Sequence, residues 1–198
     1  MGLNLNYLEG QTPLDEEEKN GLRIPTIAIR QELDEFEQQN IEDAMLWVFN
    51  KSLNAEIVLT EKFIYDLHKR MYGQVWSWAG KFRKTDKNLG IDKWKIPVEL
   101  RALCDDALFW MKNQTFSNDE IALRFKHRLV SIHCFSNGNG RHSRLMADII
   151  ISKVLNQPIF SWGSSFLVKE DNVRKAYLKA LKSADRGELK SLLLFSRS

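Results

Sequence analysis

Apolar residues recur every three or four positions along most of the chain, the spacing of helices with one buried face. Between residues 29 and 49, Leu33, Phe36, Ile41, Ala44 and Val48 follow this period. Thr60 precedes the stripe Phe63, Ile64, Leu67 and Met71, and its hydroxyl can accept an unpartnered N–H of a first helical turn. Over 97–113, Leu100, Leu103, Ala107 and Trp110 share one side. Ser117, with Glu120 three residues on, reads as a capping box for a helix carrying Ile121, Phe125, Leu129 and Ile132. Further helices are predicted over about 140–155 and 170–183, with a short one closing the chain.

The pattern lapses twice. Residues 1–28 read as an irregular arm with an acidic knot at Asp15–Glu18, closed by Gly21 and Pro25. The stretch KFRKTDKNLGIDKWKIP, residues 81–97, has no helical stripe. Asn88 and Gly90 mark a turn in it, and Ile91, Trp94 and Ile96 mix with lysines, which predicts a short β-hairpin flap. The expected fold is therefore all-α, a helical bundle with one small β element. It is divided into an arm (1–28) and a single domain (29–198).

Composition narrows the function classes. With 198 residues, 43% hydrophobic and 28% charged, the chain suits one domain with a sizeable core. A net charge of +3 is no nucleic-acid footprint, and nucleic acid is not an expected partner. No apolar run is long enough to span a membrane, and the N-terminus lacks the basic start and apolar core of a secretory signal. Two cysteines, Cys104 and Cys134, cannot form a disulfide framework, so a reduced, cytoplasmic setting is expected.

The chemistry concentrates in SIHCFSNGNGRHSRLM, residues 131–146. Gly138 and Gly140 join two predicted helices and let backbone N–H groups approach a ligand. The first N–H groups of the following helix have no partner within it, so the loop is a ready phosphate site. Arg141 and Arg144 share a face of that helix in its first turn. The helix dipole is already positive there, and each cation costs about 0.3–1 kcal/mol when exposed. An anion with many oxygens, such as a triphosphate, relieves both the dipole and the like-charge repulsion. His133 borders the loop and can serve as a general base near neutral pH. Phe135 is expected to pack inward and anchor the loop. A glycine–asparagine–glycine turn alone suits many loops, and paired arginines at a helix start are most often solvated. The combination at this spacing is what points to an anion site. His127, His133 and His142 form no i, i+4 pair and lack acidic partners at ligand spacing, so no histidine metal centre is expected.

HCFSNGNGRHSR, residues 133–144, resembles the signature of the Fic family, H-P-F-x-[D/E]-G-N-G-R-x-x-R. WSWAGKFRKTDKNLGI, residues 76–91, is similar to that family's W-A-G-x-x-R segment leading into its flap. The resemblance covers about residues 55–160, and the whole chain resembles the branch called mobile mystery protein B. It implies transfer of AMP from ATP to a Ser, Thr or Tyr hydroxyl of a target protein. His133 would be the base, and Gly138, Asn139 and Gly140 the anion hole. Arg141 and Arg144 would hold the outer phosphates, and Lys84, Thr85, Asn88, Leu89, Gly90 and Ile91 would form the target-binding flap. The family's Mg²⁺-holding acid is Asn137 here, a weaker neutral ligand. The usual proline is Cys134. The family's inhibitory motif, [S/T]-x-x-x-E-[G/N], is matched only partly at 12–17 and 52–57. Glu37 lies where an inhibitory helix would sit, although Leu33 and Gln38 break the pattern. The implied cofactors are ATP as substrate and Mg²⁺, and the implied partners a protein target and an antitoxin-like regulator. Transfer of another nucleotide or of phosphate, or nucleotide binding with little turnover, are the alternatives.

Overall fold

The computed structural model describes residue 5, residues 12–164 and residues 170–198. The rest of the arm, residues 1–4 and 6–11, lies outside the described residues. The order is α1 (Glu16–Lys19), α2 (Arg30–Phe49), α3 (Ala55–Val58), α4 (Glu61–Tyr72), α5 (Ile96–Lys112), α6 (Asn118–Ile132), α7 (Asn139–Ile149), α8 (Glu170–Ala184) and α9 (Lys190–Ser196). The fold is all-α. Among the described residues the sole β pairing is an isolated antiparallel bridge between Leu22 and Trp76.

Local signals explain the helix starts. Thr60 Oγ1 accepts the Phe63 N–H at 3.1 Å and opens α4, which buries Phe63, Ile64, Leu67 and Met71. Ser117 caps α6 through the Glu120 N–H at 3.3 Å. Glu120 turns its carboxylate to Arg124 Nε at 2.9 Å, so the side-chain half of the expected box serves an i, i+4 ion pair. Helix α7 begins at Asn139, one residue before the glycine where it was expected. It runs into a π-helical turn, Ile150–Val154, in which the Leu155 N–H reaches the Ile150 carbonyl at 3.0 Å.

Helix α6 packs on both α5 and α7, and α4 packs on α2 and touches α7. Fully buried Phe125, Met146, Ala147, Ile149 and Leu67 fill the space between them. This sandwiching fixes the loop between α6 and α7, where the candidate chemistry lies.

Two segments depart from the sequence expectation. The acidic knot of the arm is a helical turn. Asp15 Oδ1 accepts the Glu18 N–H at 2.9 Å, and Glu18 Oε2 accepts the Asp15 N–H at 3.0 Å. This part of the arm is docked: Leu14 and Ile27 are buried, and the Arg23 N–H donates to the Val75 carbonyl at 2.8 Å.

The expected hairpin flap has no strand pairing. Residues 82–92 are irregular, with bends at 84–85 and 88–91, followed by a 3₁₀ turn at Lys93–Lys95. The reason is Arg83. Its NH1 donates to the Thr85 carbonyl at 2.9 Å and its NH2 to the Ile91 carbonyl, so a side-chain fork occupies carbonyls a ladder would use. Asp86 Oδ1 takes the Lys93 N–H at 2.9 Å.

Candidate active site

The loop between α6 and α7 is shaped by backbone geometry first. His133 ends α6 in the left-handed region, φ 57° and ψ 60°, a strained conformation for a side chain with a Cβ. Arg83 holds it there. Its Nε donates to the His133 carbonyl at 2.7 Å, and its N–H donates to the Cys134 carbonyl at 3.0 Å. Gly90 completes the clamp at φ +102°, where an added Cβ would stand 2.5 Å from that of His133. Gly138, at φ +78°, lies on the Tyr72 ring, with no room for a side chain. Gly140 differs: a Cβ there would meet nothing within 4 Å.

Phe135 is buried and stacks on His68, ring centroids 3.7 Å apart. Asn139 is a brace within the loop. Its Oδ1 accepts the Phe135 N–H at 3.0 Å and its Nδ2 donates to the Phe135 carbonyl at 2.8 Å. Asn139 lines the cleft together with Gly138 and Gly140.

A cleft of about 1030 Å³ opens over the start of α7. His133, Asn137, Gly138, Asn139, Gly140, Arg141 and Arg144 all line it, as do Asn88, Leu89 and Gly90 of the flap. Structure thus gathers the loop residues, both arginines and the tip of the flap. It turns the rest of the flap elsewhere. Thr85 Oγ1 donates to Asp15 at 3.0 Å, the Lys84 carbonyl takes Lys93 Nζ at 2.7 Å, and the Ile91 carbonyl is used by Arg83.

His133 is buried, and Thr12 Oγ1 lies 3.0 Å from its Nε2. Burial, then the charges of Arg83 and Lys87, push its pKa down to about 4, against an opposing contribution from the Val130 backbone. The imidazole is therefore neutral at physiological pH. The other histidines have different work. His68 accepts the Gly80 N–H at Nδ1 (3.0 Å) and so donates from Nε2 to the Asn137 carbonyl, also at 3.0 Å. His142 holds the Ile64 carbonyl at 3.0 Å, buried against Phe135.

The two arginines are held differently. Arg141 NH2 donates to Glu37 Oε2 at 2.6 Å and its guanidinium lies over Tyr72 at 5.2 Å. Glu37, 4% exposed on α2, spends its other oxygen on Trp76 Nε1 at 2.7 Å. An internal carboxylate thus occupies the first arginine of the loop. Arg144 lies over the Tyr177 ring at 5.4 Å, and no carboxylate among the described residues forms an ion pair with it.

Asn137 does not suit a hard cation. Its Oδ1 takes the Gly138 N–H at 2.7 Å and its Nδ2 donates to the Thr12 carbonyl at 2.9 Å. The amide is neutral and both its ends are engaged. Among the described residues no group of three or more His, Cys, Asp or Glu could hold a metal. Both cysteines are free and buried, their thiols pushed up to about 12 by burial, so neither is an activated nucleophile.

Four roles here escape the sequence reading. Thr12 opens the partial motif match at 12–17, with no sign that it reaches His133. Arg83 closes the W-A-G-x-x-R segment, with no sign of the carbonyls it holds. Tyr72 looks like an ordinary helix-end aromatic, and His68 lies four residues after Ile64 on the apolar face of α4.

A helical sandwich that carries a histidine and an anion-ready helix start on one loop defines the class. The family model described as Fic/DOC family matches residues 58–151. That match spans a little under half of the chain. It is 26% identical over 193 residues to the protein adenylyltransferase Fic of Drosophila grimshawi, covering 95% of this chain and 38% of the relative. The corresponding Drosophila melanogaster protein is 28% identical over 157 residues, 77% of this chain and 30% of its own. The chain thus spans less than two fifths of these curated relatives. Among solved structures, the N-terminal FIC domain of Bep8 from Bartonella sp. 1-1C superposes with a TM-score of 0.68 at 15% identity, covering 90% of both chains. BepC from Bartonella tribocorum, solved with bound AMPPNP, gives 0.65 at 17% identity, covering 90% of this chain and 96% of its own. Residues 134–508 of Caenorhabditis elegans Fic-1 give 0.64 at 21% identity, covering 80% and 46%.

Proposed function

We propose that this chain transfers the AMP moiety of ATP to a Ser, Thr or Tyr hydroxyl of a target protein. The carrying observation is His133: a neutral imidazole whose Nε2 has a hydroxyl 3.0 Å away, at the edge of the cleft over α7. The curated relatives are named protein adenylyltransferase, which supports the same reading, as does the AMPPNP bound by BepC.

In this reading His133 Nε2 takes the hydroxyl proton. The freed oxygen bonds to the α-phosphorus, and the bond from that phosphorus to the bridging oxygen breaks. Pyrophosphate leaves toward the N–H groups at the start of α7 and the guanidinium groups of Arg141 and Arg144. Any divalent cation arrives with the triphosphate as part of the substrate, since Asn137 provides no carboxylate. Glu37 competes with the phosphates for Arg141 and acts as a built-in brake. The tip of the flap, Asn88 to Gly90, contacts the target. We assign the activity to the cytoplasm, consistent with two free buried cysteines, with an antitoxin-like protein as a further regulator.

The test is incubation with α-labelled ATP and cell lysate. Wild type should label protein, and His133→Ala should lower the rate by about 10²–10⁴-fold, the usual contribution of a general base. Equal labelling by both would remove His133 from the mechanism. A second reading, nucleotide binding with little turnover, is favoured by the fully engaged Asn137 amide and the Glu37–Arg141 pair. It predicts tight ATP binding and no label from either α- or γ-labelled ATP. Label from γ-labelled ATP alone points instead to phosphate transfer.

A further inference from the structure

The hydroxyl nearest the proposed base belongs to the chain itself. Thr12 is 6% exposed, and its Oγ1 lies 3.0 Å from His133 Nε2. Thr12 lines the same cleft as Gly138, Gly140, Arg141 and Arg144. Four fastenings hold it there, and none is a chance surface contact. Asn137 Nδ2 donates to the Thr12 carbonyl at 2.9 Å. Leu14 is buried in the core. Thr85 Oγ1 donates to Asp15 at 3.0 Å. Lys87 Nζ, its side chain 7% exposed, reaches both Asp15 and Glu18. The base of the flap and the loop therefore hold the segment around Thr12 beside His133.

Asn137 is central to this grip. A carboxylate at that position has no N–H to give, and would face the Thr12 carbonyl oxygen with its own lone pairs. The amide that suits a metal poorly suits this arm well.

We propose that Thr12 is a modification site, the acceptor of a nucleotidyl group transferred within the same chain. This rests on the transferase reading above. The co-reactant is a nucleoside triphosphate. The Thr12 Oγ–H proton passes to His133 Nε2, an Oγ1–Pα bond forms, the Pα–O bond to the leaving pyrophosphate breaks, and the product is a phosphodiester on Thr12. The 3.0 Å approach of Oγ1 to Nε2 supports this proton transfer, and burial keeps the ring neutral and able to accept.

The test uses the full chain, incubated with ATP and Mg²⁺ and digested for peptide mass spectrometry, as wild type and as Glu37→Ala, which frees Arg141. The peptide containing Thr12 should gain one adenylyl group. The half-time should be unchanged on roughly ten-fold dilution, as an intramolecular step requires. Thr12→Ser should keep the modification, Thr12→Val should lose it from that peptide, and His133→Ala should slow it by about 100-fold or more. Lysate proteins labelled by wild type or Glu37→Ala, with Thr12 unmodified in both, would overturn the inference and leave the transferase standing. A half-time that lengthens in proportion to dilution would overturn the intramolecular step. No label on any protein, in either background, would overturn the inference and the transferase reading together. The wild-type map decides the matter even if Thr12→Val folds poorly.

Discussion

Single atoms decide how the loop residues tolerate change, and the glycines separate packing from binding. Gly90 sits at φ +102° with the His133 Cβ and the Ile132 carbonyl against it. Gly90→Ala is expected to cost about 1–3 kcal/mol through strain and displacement. In a chain of this size that lowers Tm by at least about 2 °C, measurable by calorimetry. The same change moves His133 and slows labelling. Gly140→Ala should behave oppositely. It lies inside α7 with open space beside it, and alanine is favoured over glycine in a helix by about 0.5–1 kcal/mol. Tm should hold or rise while ATP affinity falls, since the new methyl borders the cleft. An unchanged ATP Kd, read by calorimetric titration, would count against an anion site at this helix start.

Between elements, the contact that matters most is the one α2 makes with the start of α7. Glu37 bridges Trp76 and Arg141 from a buried position, so removing it has two separable effects. Glu37→Ala is expected to lower stability, because breaking a buried pair from one side costs about 3–5 kcal/mol; 31% exposure of the Arg141 side chain pulls this toward the low end. It is also expected to tighten ATP binding, since Arg141 no longer has a competing anion. Glu37→Gln should fall between, losing the charge while keeping a group for Trp76. Weaker ATP binding in Glu37→Ala than in wild type would refute the brake. Most helices were legible in the sequence, because each apolar stripe faces one core and each of α4 and α6 opens on a hydroxyl cap. The loop chemistry was legible too, since His133, both glycines and both arginines lie within twelve consecutive residues. Contacts between distant elements were not. Thr12 and His133 are 121 positions apart; Glu37, singled out only through the resemblance, lies 104 positions from Arg141. The predicted hairpin does not form because Arg83 satisfies the flap's carbonyls from inside, a role its place in a lysine-rich segment does not reveal.

Across the whole molecule, three buried histidines make stability depend on acid. His68 and His142 are held neutral mainly by burial, the first well below its ordinary value and the second at about 3, and His133 lies at about 4. In the unfolded chain each titrates near 6.5. A depressed histidine pKa means that the unfolded state binds the proton first. Stability from these groups is therefore complete above about pH 6.5 and is lost as pH falls toward the folded values, by up to about 1.4 kcal/mol per pH unit for each. Asp148 acts in the other direction. Burial raises it to about 6 despite its bonds to Trp162 and the Phe160 N–H. The folded state then binds a proton that the unfolded state does not between about pH 6 and 3.8, which adds stability as pH falls through that window. Three groups against one leave a net loss, so Tm should decline steadily from pH 7 to pH 5. His142→Gln, which keeps a donor for the Ile64 carbonyl, should flatten that slope while costing stability at pH 7. His133→Gln should flatten it as well and also abolish labelling at every pH. A Tm that is level between pH 7 and pH 5 would mean that these rings titrate in the folded chain as they do in the unfolded one, and would remove burial as the reason His133 is neutral.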